Sequence, residues 1–244
     1  MAAPLPRDAQ GPSAKWRLPA VHADGRKFVV VVLVLLLISW AIGPHMLEWP
    51  LLGVALWVVL FFRDPVRMVP VGDQLIIAPA DGLVTLIQEV RPPRELAENG
   101  GLDDVLHTRI SIFMSIFDMH IQRAPITGAV RRVVYISGSF VNADLDKASE
   151  ENERQHFLIE RSDGVRVGFT QIAGLIARRI LAFTKAGDLV AAGQRVGLIR
   201  FGSRVDVYLP VGVASQVAVG QRTVAGETII GHLGNTTPAR GIAQ

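Results

Sequence analysis

The sequence predicts a mainly β domain of sandwich or barrel type, preceded by an N-terminal hydrophobic helical hairpin. Three observations predict it. Residues 28–62 hold two long apolar runs that are almost free of charge. The roughly 180 residues after them break into short apolar runs of strand length. Turn-forming clusters separate most of those runs: Pro79-Ala80-Asp81-Gly82, Pro125-Ile126-Thr127-Gly128, Ser162-Asp163-Gly164 and Ala186-Gly187-Asp188.

Composition bounds the classes. A chain of 244 residues suits one globular domain plus an appendage. Half the residues are hydrophobic and the mean hydropathy is positive, which is high for a purely soluble domain. There is no cysteine, which excludes disulfides, thiolate metal sites and a cysteine nucleophile. The net charge of +3 is diffuse. No basic run is interleaved with aromatics, so no nucleic-acid partner is expected.

Residues 1–27 are rich in Ala, Pro and Gly and read as a flexible tail. The hairpin occupies 28–62. Phe28 to Gly43 carries no charge, Pro44-His45 interrupts, and Met46 to Phe62 is apolar except for Glu48. The halves, 16 and 17 residues long, make helices of about 25 Å. Each is slightly short of a bilayer core of about 30 Å. Arg26 and Lys27 precede the hairpin, and Arg63 and Arg67 follow it, so both ends belong on the cytoplasmic side. Apolar residues on every helix face argue against a soluble helix pair, and the second run argues against a cleaved signal peptide. Trp40, Trp49 and Trp57 are candidate interfacial anchors.

The remainder, 63–244, is the β-rich domain. Its apolar runs fall at 75–78, 83–90, 109–117, 129–136, 157–160, 165–173, 178–183, 195–201, 205–209, 215–219 and 227–230. The charged stretch 143–155 reads as a short helix or an exposed loop.

Three places carry chemistry-bearing residues. Gly202-Ser203 sits between two strand-like runs. It reads either as a strand kink or as a bond that the protein cuts in itself, since glycine permits backbone angles other residues resist. Asp118 and His120 follow the 109–117 run at a spacing of two and share one face if the strand continues. A carboxylate there would fix the imidazole's tautomer. Asp81 lies in Ala78-Pro79-Ala80-Asp81-Gly82, either as a turn carboxylate or as an acid aimed at a histidine. His22, His45, His107, His156 and His232 show no metal-ligand spacing, and no metal is expected.

The chain from Phe28 onward resembles the short bacterial form of the phosphatidylserine decarboxylase family. The paired apolar helices carry the likeness, with Phe62-Arg63-Asp64-Pro65, the Ala78–Gly82 segment and the 117–128 segment beginning Phe117-Asp118-Met119-His120. So do Glu151-Asn152-Glu153-Arg154, the 171–179 segment beginning Gln171-Ile172-Ala173-Gly174, and Arg200-Phe201-Gly202-Ser203-Arg204.

The resemblance implies self-cleavage between Gly202 and Ser203, with Ser203 becoming a covalent pyruvoyl cofactor. Phosphatidylserine in the bilayer is then the substrate and phosphatidylethanolamine the product. The two fragments stay together as a heterodimer, with a higher oligomer open. Ser203 is the cleavage nucleophile, His120 a base or proton donor, Asp81 the carboxylate of the processing relay, and Asp118 an orienter of His120. Longer relatives carry a second histidine where this chain has Arg123, which is free to meet the lipid phosphate. The implied place is a bacterial inner membrane, with the catalytic domain on the cytoplasmic side. Two alternatives stand beside this reading: decarboxylation of a related ether-lipid serine head group, and a membrane-tethered β scaffold that binds a partner without catalysis.

Overall fold

The computed structural model describes residues 18–43, 45–139, 151–174, 179–200 and 202–242. Strand predominates among them, as the pattern of short runs and turns predicts. The predicted tail lies outside the described residues as far as residue 17, and so do residues 143–150 of the charged stretch.

Strand β1 (Ala20–Val21) leads into helix α1 (Ala23–Ile42). The helix therefore starts within the stretch expected to be tail. Contacts with distant residues explain this. Strand β1 pairs with β2 (Arg63–Asp64), and the His22 imidazole caps the helix by accepting the Asp24 N–H at 3.3 Å. Gly25 lies so close to Phe62 that an added Cβ would come within 2.4 Å of it. A short 3-10 turn, His45–Leu47, leads into α2 (Glu48–Phe61), which packs along α1. Pro50 falls in the first turn of α2, where its missing N–H breaks no helical bond.

Helix α1 is long and apolar enough to cross a membrane, and the second helix is apolar but shorter. The outer part of the pair exposes Val30, Leu33, Leu37, Trp40 and Trp49. An exposed apolar surface of this kind marks a membrane or partner contact. The base is packed differently. Val32, Val58, Phe61 and Phe62 form one buried cluster with Ile121 and Leu198 of the β domain. Trp57 is drawn into the same junction, donating its indole N–H to the Ile116 carbonyl at 3.1 Å.

The β domain continues with β3 (Leu75–Ile77), β4 (Gly82–Val90), the short helix α3 (Arg94–Ala97), β5 (His107–Met114), β6 (Ile121–Arg123) and β7 (Gly128–Ile136). It goes on through β8 (Arg154–Glu160), β9 (Arg166–Ala173), β10 (Ile180–Ala182), β11 (Leu189–Val190) and β12 (Arg195–Ile199). The last strands are β13 (Ser203–Tyr208), β14 (Arg222–Thr223) and β15 (Ile229–His232). An eight-stranded antiparallel sheet in the order β11-β7-β8-β9-β13-β5-β4-β14 curls into a half-barrel. A smaller sheet, β10-β12-β6, and the pair β15-β3 accompany it.

Strand β13 is central, hydrogen-bonded to β5 on one side and β9 on the other. Val205 and Val207 join the main apolar core. Period-two alternation sends Arg204, Asp206 and Tyr208 to the opposite face, and all six residues of the strand are buried. On that face the Arg204 guanidinium meets the Asp206 carboxylate at 2.9 Å.

Two predicted strands are altered. The 109–117 run leaves the sheet at Met114, because the Asp118 carboxylate accepts the Ser115 N–H at 2.9 Å and the Ser115 hydroxyl at 2.8 Å, closing a turn. The 215–219 run makes a local turn in which the Ser215 hydroxyl donates to the Val217 carbonyl at 2.8 Å.

Candidate active site

Gly202 and Ser203 lie where β12 hands over to β13, at the buried end of the central strand. Gly202 has φ +69°, in the left-handed region that favours glycine. Both polar groups of its backbone are held. Its N–H donates to Nε2 of His120 at 3.1 Å, and its carbonyl accepts the Gly174 N–H at 3.0 Å. Ser203 is fully buried, and its hydroxyl has no hydrogen-bond partner among the described residues. A buried hydroxyl without a partner is costly, and such a group in a native site calls for an explanation. Here it adjoins a peptide carbonyl whose position is fixed.

His120 belongs to the segment that joins the 115–118 turn to β6, and it is completely buried. Its ring stacks on Phe61 from the end of the hairpin, with centroids 4.5 Å apart. Nδ1 lies 2.9 Å from the Asp118 carbonyl. Since Nε2 accepts from Gly202, the hydrogen is on Nδ1 and the Nε2 lone pair faces the N–H of the peptide unit just before the cleavage site. Burial pushes the imidazole down to about 4, against a smaller upward pull from Asp118. It is neutral at pH 7 and able to accept a proton.

Asp118 meets His120 through its backbone carbonyl and not its carboxylate. The carboxylate is committed to Ser115 and to an ion pair with the largely exposed Arg222. The two residues sit on a turn and not on a continuing strand, so shared-face geometry does not apply.

Asp81 is engaged by Arg67. Arg67 bonds both carboxylate oxygens, at 2.7 and 2.9 Å, and the Ala225 N–H adds a third contact. Among the described residues Asp81 and His120 share no hydrogen bond: the carboxylate is bonded to Arg67, and both imidazole nitrogens meet backbone groups. Burial pushes the Asp81 carboxyl up to about 6, and Arg67 pulls it back down. Arg67 also touches the Met119 sulfur at 3.5 Å, one residue before His120.

Arg123 is buried and committed internally. It donates to the Gly193 carbonyl at 2.8 Å and the Pro65 carbonyl at 3.1 Å, and it lies 3.5 Å from Asp64. It is a clamp between segments and not an open phosphate ligand.

Sequence reasoning overlooked Phe61, Arg67 and Gly174. The motif around Gln171–Gly174 flagged the right stretch, but a backbone N–H has no side-chain signature. No group of His, Asp and Glu suited to a metal occurs among the described residues.

A pyruvoyl group made from Ser203 fits this setting. The hydroxyl is unsatisfied and shielded from water, the preceding glycine is already turned, and a neutral imidazole is bonded to the adjoining peptide. The arrangement holds the parts for an acyl shift within the backbone: a hydroxyl, a fixed carbonyl with a donor on its oxygen, and a base.

The family model described as phosphatidylserine decarboxylase matches residues 54–231. A phosphatidylserine decarboxylase proenzyme of Novosphingobium aromaticivorans is 58% identical over 237 residues, covering 95% of this chain and 94% of that protein. The proenzyme of Erythrobacter litoralis is 56% identical, with 95% of each chain covered. That of Zymomonas mobilis is 56% identical, with 94% of this chain and 93% of the relative covered.

Proposed function

Since the chain belongs to the phosphatidylserine decarboxylase family, we propose that it decarboxylates phosphatidylserine to phosphatidylethanolamine, using a pyruvoyl group that it makes by cutting itself between Gly202 and Ser203. One observation carries the reading: among the described residues the buried Ser203 hydroxyl has no partner, and it sits beside a left-handed glycine whose N–H and carbonyl are both pinned.

In self-cleavage, the Ser203 Oγ forms a bond to the Gly202 carbonyl carbon as the peptide C–N bond breaks. The hydroxyl proton passes to the freed Ser203 nitrogen, with His120 Nε2 as carrier. To take that proton, His120 must release the Gly202 N–H. Loss of the Ser203 α-proton then breaks the Cβ–Oγ bond and leaves Gly202 with a carboxylate. Water replaces the nitrogen at residue 203, which departs as ammonia.

The group so formed supplies an electron sink for the bond to the departing carboxylate, which no amino-acid side chain offers. His120, neutral and stacked on Phe61, is assigned the return of a proton to the head-group carbon. Asp118 fixes its tautomer through the backbone carbonyl. Asp81 is assigned to hold Arg67 behind this segment.

The fragments are 1–202 and 203–244. The smaller one supplies β13, β14 and β15, which pair with β5 and β9, with β4 and with β3. That shared sheet favours a stable heterodimer. The hairpin supports a membrane position, with its basic flanks on the cytoplasmic side of a bacterial inner membrane. Phe117, 70% exposed on the 115–118 turn, extends the apolar surface beside the site. Its carbonyl accepts from Arg63 at 3.2 Å, which ties the turn to the end of the hairpin. A lipid head group can thus reach the site while its acyl chains stay in the bilayer.

The test is a denaturing gel. The native chain is expected as two fragments, and Ser203→Ala as one inactive full-length chain. Activity surviving in Ser203→Ala would remove the pyruvoyl mechanism.

A further inference from the structure

We propose that Asn152 is a positioning residue for self-cleavage, acting through the Ala173–Gly174 peptide on the Gly202 carbonyl; this rests on the self-cleavage reading above. Asn152 is completely buried just before β8, in the Glu151-Asn152-Glu153-Arg154 motif. Its side-chain amide donates to the Ala173 carbonyl at 2.7 Å. The other end of that same peptide unit, the Gly174 N–H, donates to the Gly202 carbonyl at 3.0 Å. One planar peptide therefore links the Asn152 amide to the oxygen of the bond to be cut.

Ordinary ladder bonding does not account for this arrangement. Strand β8 begins at Arg154, opposite Ile172, and β13 begins at Ser203, opposite Ala173. The Ala173–Gly174 peptide is the first beyond both strands. On the β8 side a side-chain amide takes the place of the next backbone rung, while the neighbouring Ala173 N–H bonds the Glu153 carbonyl at 2.9 Å. The peptide is thus clamped from Asn152 and Glu153 at the point where the sheet would otherwise fray. Glu153 is itself fixed, accepting from the Ile180 N–H at 3.2 Å and from Tyr135.

The consequence is chemical. As the Ser203 Oγ bonds to the Gly202 carbon, the carbonyl oxygen takes on negative charge before the C–N bond breaks. A preorganised N–H on that oxygen stabilises it, and losing one such donor slows acyl transfer by roughly 100- to 1,000-fold. Hydrogen bonds in series polarise each other, so the Asn152 amide both aims the Gly174 N–H and strengthens it. Removing only the amide leaves the Gly174 donor in place but unaimed, and a loss of about tenfold or more is expected.

The experiment follows self-cleavage on gels after cell-free synthesis, with thermal melting measured in a Ser203→Ala background. Asn152→Asp is the informative variant. Its ionised carboxylate cannot donate to the Ala173 carbonyl, whereas its protonated form can. Among the described residues, Glu151, Glu153 and Arg154 are its charged neighbours along the chain, and the Tyr135 phenol, which feels Arg179, bonds Glu153. The ratio of its cleavage rate to that of the native chain is expected to rise at least tenfold from pH 8 to pH 5. A limb due to His120 is common to both proteins and cancels in the ratio. A second variant replaces Gly174 with glycolate, exchanging its N–H for an ester oxygen, and is expected to cleave far more slowly than the native chain. Native-like cleavage by either variant at pH 8 overturns the inference. So does a pH-independent slowing of Asn152→Asp that tracks a lowered melting temperature, which would mark Asn152 as merely structural. If the native chain itself stays whole, the self-cleavage reading fails instead.

Discussion

Nε2 of His120 accepts the N–H of Gly202 at 3.1 Å, one residue ahead of the Ser203 hydroxyl, which has no partner among the described residues. The acceptor that a serine nucleophile requires is therefore bonded to the peptide unit just before the one it must attack. His120→Gln is expected to slow self-cleavage by about 100-fold or more, the usual range for a lost general base. In the native chain, cleavage should fall as pH drops through about 4, where His120 protonates. Time courses of fragment formation check both points. A native-like rate in His120→Gln would assign the base elsewhere.

Burial of histidines also makes stability depend on pH. His120 and His156 are each held down to about 4 by burial, with Asp118 and Glu95 respectively opposing the shift. In an unfolded chain they protonate near 6.5. Between those values the unfolded state binds more protons, so stability falls as pH drops from 6.5 toward 4. Each histidine contributes up to about 3 kcal/mol of that fall. Asp81, pushed up to about 6 from 3.8, acts oppositely: its contribution is full below 3.8 and is lost as pH rises through about 6. Melting of Ser203→Ala at pH 7 and pH 4.5 should show a net loss in acid. Adding His120→Asn should make that loss smaller; an unchanged loss would contradict the buried neutral imidazole.

Asp81 and Arg67 form a largely buried ion pair. Asp81→Ala leaves the cation unpaired and is expected to cost about 3–5 kcal/mol. Replacing both residues with leucine should recover most of the melting temperature, and cleavage with it. A stable double variant that stays whole would return Asp81 to the proton relay.

Phe117 projects from the turn that carries Asp118, beside the apolar hairpin. Burying a Phe side chain is worth about 1.5–3 kcal/mol. Phe117→Asp is thus expected to raise KM about tenfold or more on phosphatidylserine vesicles, with self-cleavage unchanged. An equal KM on vesicles would place the lipid entrance elsewhere.

Much of the fold was legible because it rests on local patterns. Alternating apolar runs with Pro, Gly and Asp turns mark strands, and the two charge-poor runs mark the hairpin. Gly202-Ser203 stood out because a glycine between two strands is a local signal. The early start of α1 was hidden, since it depends on β1 pairing with Arg63–Asp64 across the whole hairpin. The site was half legible for a related reason. His120 and Ser203 are recognisable by residue type, but their connection runs through backbone groups of Asp118, Gly174 and Gly202. The bond between Asp81 and Arg67 was hidden because Arg67 lies in the unpatterned segment between β2 and β3.

The most direct measurement is the intact mass of the purified native protein under denaturing conditions. The account predicts two species that meet between residues 202 and 203. The smaller holds the 42 residues from position 203 to 244, is lighter by one ammonia than the same peptide beginning with serine, and is blocked to N-terminal sequencing. A single chain of 26.5 kDa would contradict it.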